Sequence, residues 1–276
     1  MVQFPETERL SVLSWNLAYM KPGRFKGRVN RARQWAFIAA CAPDVVLLQE
    51  CRMKDLSEAL AAGLFAGHDV VGVPHARVGS AIVLARRELG LRALDRTSVG
   101  DDARRLLDAL GIYVAAGTVT IGGHQVTVAS VHALADVVPD RKLSAEDHAR
   151  LRRPSKDAAR FNDLAAAALE GVGAERFLFG GDWNTARAFD QTVPKEAPGA
   201  AEFFEGRERA GWRDAMRATH AEEVRTYNQP GSHPYELDHV FVDATTFGNV
   251  VAADPVSGFP ADGLSDHLPV FVSLSL

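Results

Sequence analysis

Short apolar, β-branched runs bounded by turn residues recur along the whole chain, and this rhythm limits the fold more than any other feature. They are Leu10 to Leu13, Val45 to Leu48, Ala81 to Leu84, Ile112 to Thr120, Gln125 to Val131, Phe177 to Phe179, His239 to Val242 and Pro269 to Leu274. Such runs read as strands. Helical stretches lie between some of them, at Arg31 to Cys41, Leu56 to Leu64 and Ser155 to Leu169, where Ser155 is a cap and Asp157 suits the first turn. Tyr113 to Thr120, then Gly122-Gly123, then Gln125 to Val131 has the form of a hairpin. Antiparallel pairing of that kind does not belong in a doubly wound parallel sheet, so two packed mixed sheets flanked by helices are expected.

The 276 residues, 47% of them hydrophobic, suffice for a sizeable core. No repeat, low-complexity tract or Pro/Ser-rich linker divides them, and one domain over 1–276 is expected. The longest apolar runs fall far short of the roughly 20 residues of a membrane span. Met1 to Leu10 carries charges and a proline where a secretory signal has an apolar core. Cys41 and Cys51 are the two cysteines, too few for a disulfide framework or a thiolate metal cluster, and a reducing, cytoplasmic setting is the default expectation. A net charge of −4 argues against a tight, non-catalytic nucleic-acid binder. It argues less against a nuclease, because a site built from carboxylates itself lowers the net charge.

Polar residues gather where apolar runs end. Asn16 follows Val12 to Trp15, Glu50 follows Val45 to Leu48 and Gln49, His132 follows Val126 to Val131, and Asp182 and Asn184 follow Phe177 to Gly181. In extended backbone Asp182 and Asn184 share a face while Trp183 points away. Asp238-His239 and Asp266-His267 each precede an apolar run. Taken singly, each has a plainer reading: an Asx turn, a surface charge or a satisfied histidine. Together the oxygen donors suit a hard divalent cation, and a carboxylate that orients an imidazole, as Asp238 can orient His267, is a common way to build a base near neutral pH.

In their order these segments resemble the endonuclease/exonuclease/phosphatase superfamily, which includes deoxyribonuclease I. The resemblance rests on Ser14-Trp15-Asn16, Pro43 to Glu50, Gly79 to Ile82, Ser130-Val131-His132, Gly181 to Asn184, Leu237-Asp238-His239 and Ser265 to Val270. It implies a four-layer α/β/β/α sandwich with the site at one edge of both sheets. It further implies that Glu50, with Asn16 and Asp266, serves a Mg²⁺ ion, Mn²⁺ being the alternative. Asp182 and Asn184 would orient the attacking water and the phosphate, His267 with Asp238 would bind phosphate or act as base, and His132 would stabilise the transition state or protonate the leaving oxygen. Asp214 and Thr226 are expected behind the site.

The substrate is less constrained than the chemistry. A nuclease is the first expectation, with Arg141, Lys142, Arg150, Arg152 and Arg153 of the polar stretch Asp136 to Pro154 touching the nucleic-acid backbone. Thr185 to Pro198 is a second expected surface loop beside the site. His132 resembles the deoxyribonuclease I and sphingomyelinase branches more than abasic-site endonucleases. A hydrolase of small phosphoesters or lipid head groups is the alternative, and a catalytically silent binding module on the same fold is a third. One departure stands out: the family often has Arg two residues before the aspartate, where this chain has Glu236. A carboxylate there weakens anion binding unless it faces away.

Overall fold

The computed structural model describes residues 9–18, 28–72, 79–133, 157–193, 199–228, 232–258 and 263–275. Two six-stranded mixed sheets stack face to face. The first contains β1 (Arg9–Asn16), β2 (Val45–Cys51), β3 (His68–Gly72), β4 (Ser80–Arg86), β11 (Val250–Pro255) and β12 (Val270–Ser275), in the order β11-β12-β1-β2-β4-β3. The second contains β5 (Arg92–Ala93), β6 (Val114–Ile121), β7 (His124–His132), β8 (Phe177–Asp182), β9 (Arg213–Asp214) and β10 (Asp238–Val242), in the order β5-β6-β7-β8-β10-β9. In each sheet one central pair is parallel, β1 with β2 and β7 with β8.

Alternation along the strands builds the layers. Val45 and Leu47, Val126 and Val128, with Leu178 and Val240, point inward and fill the space between the sheets. Their neighbours Val46 and Leu48 point outward onto Trp35 and Ile38 of α1 (Arg28–Cys41) and Leu56 and Ala59 of α2 (Met53–Ala61). Ala129, Val131, Phe179 and Phe241 pack on the other side against α3 (Asp101–Leu110), α4 (Asp157–Glu170) and α6 (Ala200–Arg209). Four layers result, as expected. The hairpin forms too, Ile121 pairing with His124 across Gly122-Gly123.

Several boundaries differ from the sequence reading. Residues 111–113 form a 3-10 turn, so β6 begins at Val114 and not at Ile112. The second helix begins at Met53, with Asp55 in its first turn, and ends at Ala61. Thr185 to Pro198 contains a one-turn helix, α5 (Phe189–Thr192), so that stretch is not all loop. Helices α3 and α6, and strands β3, β5, β9 and β11, were not expected. A short helix α7 (Ala244–Gly248) starts at Asp243, whose carboxylate accepts the Thr245 and Thr246 amides. Ser155, Arg141, Lys142, Arg150, Arg152 and Arg153 lie outside the described residues. Among the described residues no helix is long and apolar enough to cross a membrane, and Cys41 and Cys51 are both free thiols.

Candidate active site

The two parallel pairs end at the same edge of the sandwich and deliver the polar strand ends together. Register aligns three of them in one row across the second sheet: His132 pairs with Asp182, and Asp182 with Asp238. From the first sheet, Asn16 Nδ2 donates to Asp182 Oδ2 at 2.8 Å and to Glu50 Oε1 at 3.3 Å. Its Oδ1 accepts the Ala18 amide at 2.8 Å. Asn16 therefore bridges the sheets and joins two carboxylates. Just beneath, Gln49 Nε2 donates to Ser130 Oγ at 3.0 Å, and Ser130 Oγ donates to the Leu48 carbonyl at 2.8 Å, locking the strands that carry Glu50 and His132.

Glu50 does not simply end a regular strand. The β2–β4 register shifts between Leu48 and Cys51, and Glu50 sits in the bulge with φ +50°, a conformation uncommon for a non-glycine residue. Gly79 packs against its backbone so closely that a Cβ there would lie 2.5 Å from the Glu50 Cα. Asn184 is likewise left-handed, at φ +47°. Its backbone N–H donates to Asp182 Oδ1 at 3.0 Å and its Nδ2 to the Ala133 carbonyl at 2.7 Å. Backbone strain of this kind concentrates at functional sites, where surrounding contacts hold it in place. Gly181 lets β8 press against β7, since a Cβ would run into the Val131 carbonyl oxygen. Trp183 turns away into the aromatic cluster of Phe203, Trp212 and Phe241.

His267 is held from several sides. Its Nδ1–H donates to Asp238 Oδ2 at 2.8 Å, and its Nε2 lies 3.7 Å from Asp182 Oδ2. Its carbonyl accepts the Trp15 indole N–H at 2.9 Å, and Ser265 Oγ, which donates to the Asn16 carbonyl, shapes the turn before it. Burial opposes charge on this ring, but Asp238 and Asp182 overcome it and hold the imidazole well above its ordinary value. Burial also raises the Asp182 carboxyl; the His267 charge pulls it down, while Asp238 adds to the rise. His132 Nε2 is 3.6 Å from Glu50 Oε1, and its Nδ1 has no hydrogen-bond partner among the described residues. Tyr113 lies against the His132 ring and Tyr227 against His267.

All eight strand-end residues expected at the site thus gather at this edge, each at most 7% exposed except the half-buried Asn184. Thr226 Oγ1 accepts the Leu237 and Asp238 amides at 2.9 and 3.0 Å, positioning Asp238 from behind. Glu236 faces away from the site: both oxygens take the Arg217 guanidinium and one also takes the Val224 amide. With Asp214, Arg217 and His239 it forms a second buried polar cluster, which sequence reasoning missed. Its traces in sequence are Asp214, expected behind the site, and two pairs spaced three apart, Asp214 with Arg217 and Glu236 with His239; the contacts that join the two pairs are tertiary.

The donor set fits a hard divalent cation. Asp182, Asp238 and Asp266 act on the His267 ring, and Glu50 lies beside them against Asn16 and His132, so four buried carboxylates supply oxygen donors at one edge. Asp182, Asp238 and His267 offer ligand atoms within 4.8 Å of one another, although Asp238 Oδ2 is already committed to His267.

A family model described as the Endonuclease/Exonuclease/phosphatase family matches residues 13–267. No curated protein matches the sequence. Among solved structures, the fold is similar to that of the endonuclease/exonuclease/phosphatase from Bacteroides vulgatus, at 17% identity and TM-score 0.66, covering 98% of this chain and 99% of that one. It is similar also to the AP endonuclease LMAP from Leishmania major, at 18% identity and TM-score 0.64, covering 99% and 90%. A third is the 3′ phosphatase NExo from Neisseria bound to a product DNA hairpin, at 15% identity and TM-score 0.64, covering 97% and 100%. From the Leu13 strand to His267 the family match takes in every residue of the assembled edge, and the chain belongs to the endonuclease/exonuclease/phosphatase family of phosphoester hydrolases.

Proposed function

We propose that the chain is a Mg²⁺-dependent phosphodiesterase that hydrolyses DNA or RNA by in-line attack of water, and that residues 1–276 form one catalytic domain. The observation that carries this reading is the buried row His132, Asp182 and Asp238, with His267 bonded to Asp238 and Glu50 joined through Asn16. Glu50 and Asp266 would hold the cation, and Asn16 fixes the Glu50 carboxylate by its amide. A bound Mg²⁺ supplies neutralisation of charge on the phosphate and the departing oxygen.

Asp182 has the basicity to take a proton from the attacking water, because burial raises its carboxyl. Asn184, anchored to Ala133, keeps that carboxylate turned toward the site. The His267 cation donates from Nε2 to a non-bridging phosphate oxygen while Asp238 fixes its ring. His132, beside Glu50, donates to the leaving oxygen. Nucleic acid as substrate draws support from the AP endonuclease and the DNA-bound 3′ phosphatase among the similar structures. Arg141, Lys142, Arg150, Arg152 and Arg153 are the proposed backbone contacts. Two free cysteines suit a reducing, cytoplasmic setting.

The net charge of −4 favours a second reading, a hydrolase of small phosphoesters that needs no basic groove. A panel of single- and double-stranded DNA, RNA, and sugar, inositol and choline phosphoesters, with Mg²⁺ and then Mn²⁺, separates the two. Metal-dependent cleavage of nucleic acid, abolished in Glu50→Ala and Asp182→Ala, is expected. Turnover of small esters without any nucleic-acid cleavage refutes the nuclease reading, and no hydrolysis of any member refutes both.

A further inference from the structure

The buried cluster behind the site contains two acids and two bases. His239 is 1% exposed, Glu236 0% and Asp214 6%. Asp214 Oδ2 meets His239 Nδ1 at 2.9 Å, and Glu236 Oε1 lies 3.4 Å from the same nitrogen. Arg217 spans both acids, with Nη2 on Glu236 at 2.5 and 2.7 Å and Nε 3.9 Å from Asp214. Although the three ligand-type side chains lie within 4.8 Å of one another, Arg217 already neutralises Glu236, and the four charges cancel without a metal.

The far side of the His239 ring reaches the catalytic edge. Its Nε2 is 3.0 Å from the Thr185 carbonyl, on the turn that follows Asp182 and Asn184. A carbonyl only accepts, and an ionised carboxylate only accepts, so both ring nitrogens donate and the ring is an imidazolium. Burial opposes that charge, and Asp214 and Glu236 outweigh it. Glu236 extends the same brace through the Val224 amide to the segment of Thr226. Thr226 holds the Asp238 amide with its hydroxyl and the Leu268 amide with its carbonyl. One cluster therefore grips the Asp182–Thr185 turn at one end and the Asp238 and His267 segments at the other.

We propose that His239 is a positioning residue for phosphodiester hydrolysis: held by Asp214 and Glu236, it pins the Thr185 carbonyl and so fixes Asp182 and Asn184 relative to Asp238. The proposal rests on the phosphodiesterase reading of the site. It also gives Glu236 a role where the family often has arginine.

Two substitutions at one residue test it. In His239→Gln the amide nitrogen replaces Nε2 and can still donate to Thr185; in His239→Asn it replaces Nδ1, on the side of Asp214 and Glu236, and no longer reaches Thr185. Both lose the same charge, so their difference isolates the pin. With bis(p-nitrophenyl) phosphate and Mg²⁺ or Mn²⁺, His239→Asn should lose about 10²-fold in kcat, on the order of what a 1 Å misplacement costs. His239→Gln should lose at least about tenfold less on the same reasoning, with KM near wild type in both. Equal losses of kcat, or an effect confined to KM, overturn the proposal. If neither variant folds, wild-type NMR decides: two slowly exchanging His239 ring N–H signals are expected, and a single one overturns it. An inactive wild type refutes the phosphodiesterase reading instead. The Asn184 side-chain amide signals then carry the test, moving in His239→Asn but not in His239→Gln; equal movement overturns the pin.

Discussion

Replacing Gly79 by alanine places a methyl carbon 2.5 Å from both Cα and the carbonyl carbon of Glu50 and 2.7 Å from its carbonyl oxygen. These are backbone atoms, so no side-chain rotation relieves the clash. To reach the 3.4 Å at which ordinary contact begins, the Glu50 backbone must retreat about 0.9 Å from that 2.5 Å approach. Glu50 already holds a left-handed φ of +50° within a bulge, which leaves few ways to move while keeping its carboxylate on Asn16. Overpacking of this kind costs about 1–3 kcal/mol of stability. A shift near 1 Å in a group that positions the reaction costs about 10²-fold in rate. Gly79→Ala should therefore remain folded with a lowered Tm, bind Mg²⁺ more weakly by calorimetry, and lose about 10²-fold in metal-dependent hydrolysis. Gly67→Ala is the control, because a Cβ at Gly67 meets nothing within 4 Å. A folded Gly79→Ala protein with wild-type Mg²⁺ affinity and turnover would refute the claim that this glycine seats Glu50.

Asp238→Asn removes the carboxylate that holds His267, and kcat should fall by about 10²–10⁴-fold. Because His267 is raised above its unfolded value of about 6.5, the pair's stabilisation is whole below that pH and fades as pH climbs through the folded value. The variant should thus lose more stability near pH 6 than near pH 9.5 in urea titrations; a pH-independent loss contradicts this. Since the Asp182 carboxyl is raised by burial, cation binding should release protons, and Mg²⁺ should lift the Tm more at about pH 8 than at about pH 5.5. Burial pushes the Cys51 thiol up to about 12, so a maleimide should label Cys41 in the native protein and Cys51 only after unfolding; equal native labelling counts against the buried placement.

The strand ends were legible because each polar residue follows an apolar run, and a side chain that leaves a core strand there has one edge to reach. Alternation likewise foretold that Trp183 would pack away from Asp182. Other features left weaker marks. Helix α3 carries its apolar residues at Ala103, Leu106, Leu107 and Leu110, a clear helical stripe, but its intervening acids and arginines mask it as a polar stretch. Strand β3 is a half-exposed edge with only Val70 and Val71 apolar, and β11, although Val250 to Ala253 are apolar, is the half-exposed opposite edge and ends at Asp254-Pro255. The bulge at Glu50 depends on what β4 and Gly79 do opposite it, which no local pattern encodes. The His239 cluster was hidden for the same reason: Thr185, Asp214, Arg217 and Glu236 meet only once the second sheet has formed. Glu236, read as a possible intrusion on the phosphate, is answered by Arg217.

The amide of Asn16 reaches Asp182 across 166 positions of sequence, and the Trp15 indole reaches the His267 carbonyl across 252. Neither sheet alone contains a competent edge. During refolding, catalytic power should therefore return last, after helices and individual sheets have acquired their spectroscopic signals, because loop closure this long is slow. A half-assembled chain is chemically silent, and hydrolysis itself becomes the reporter of the moment the two sheets dock.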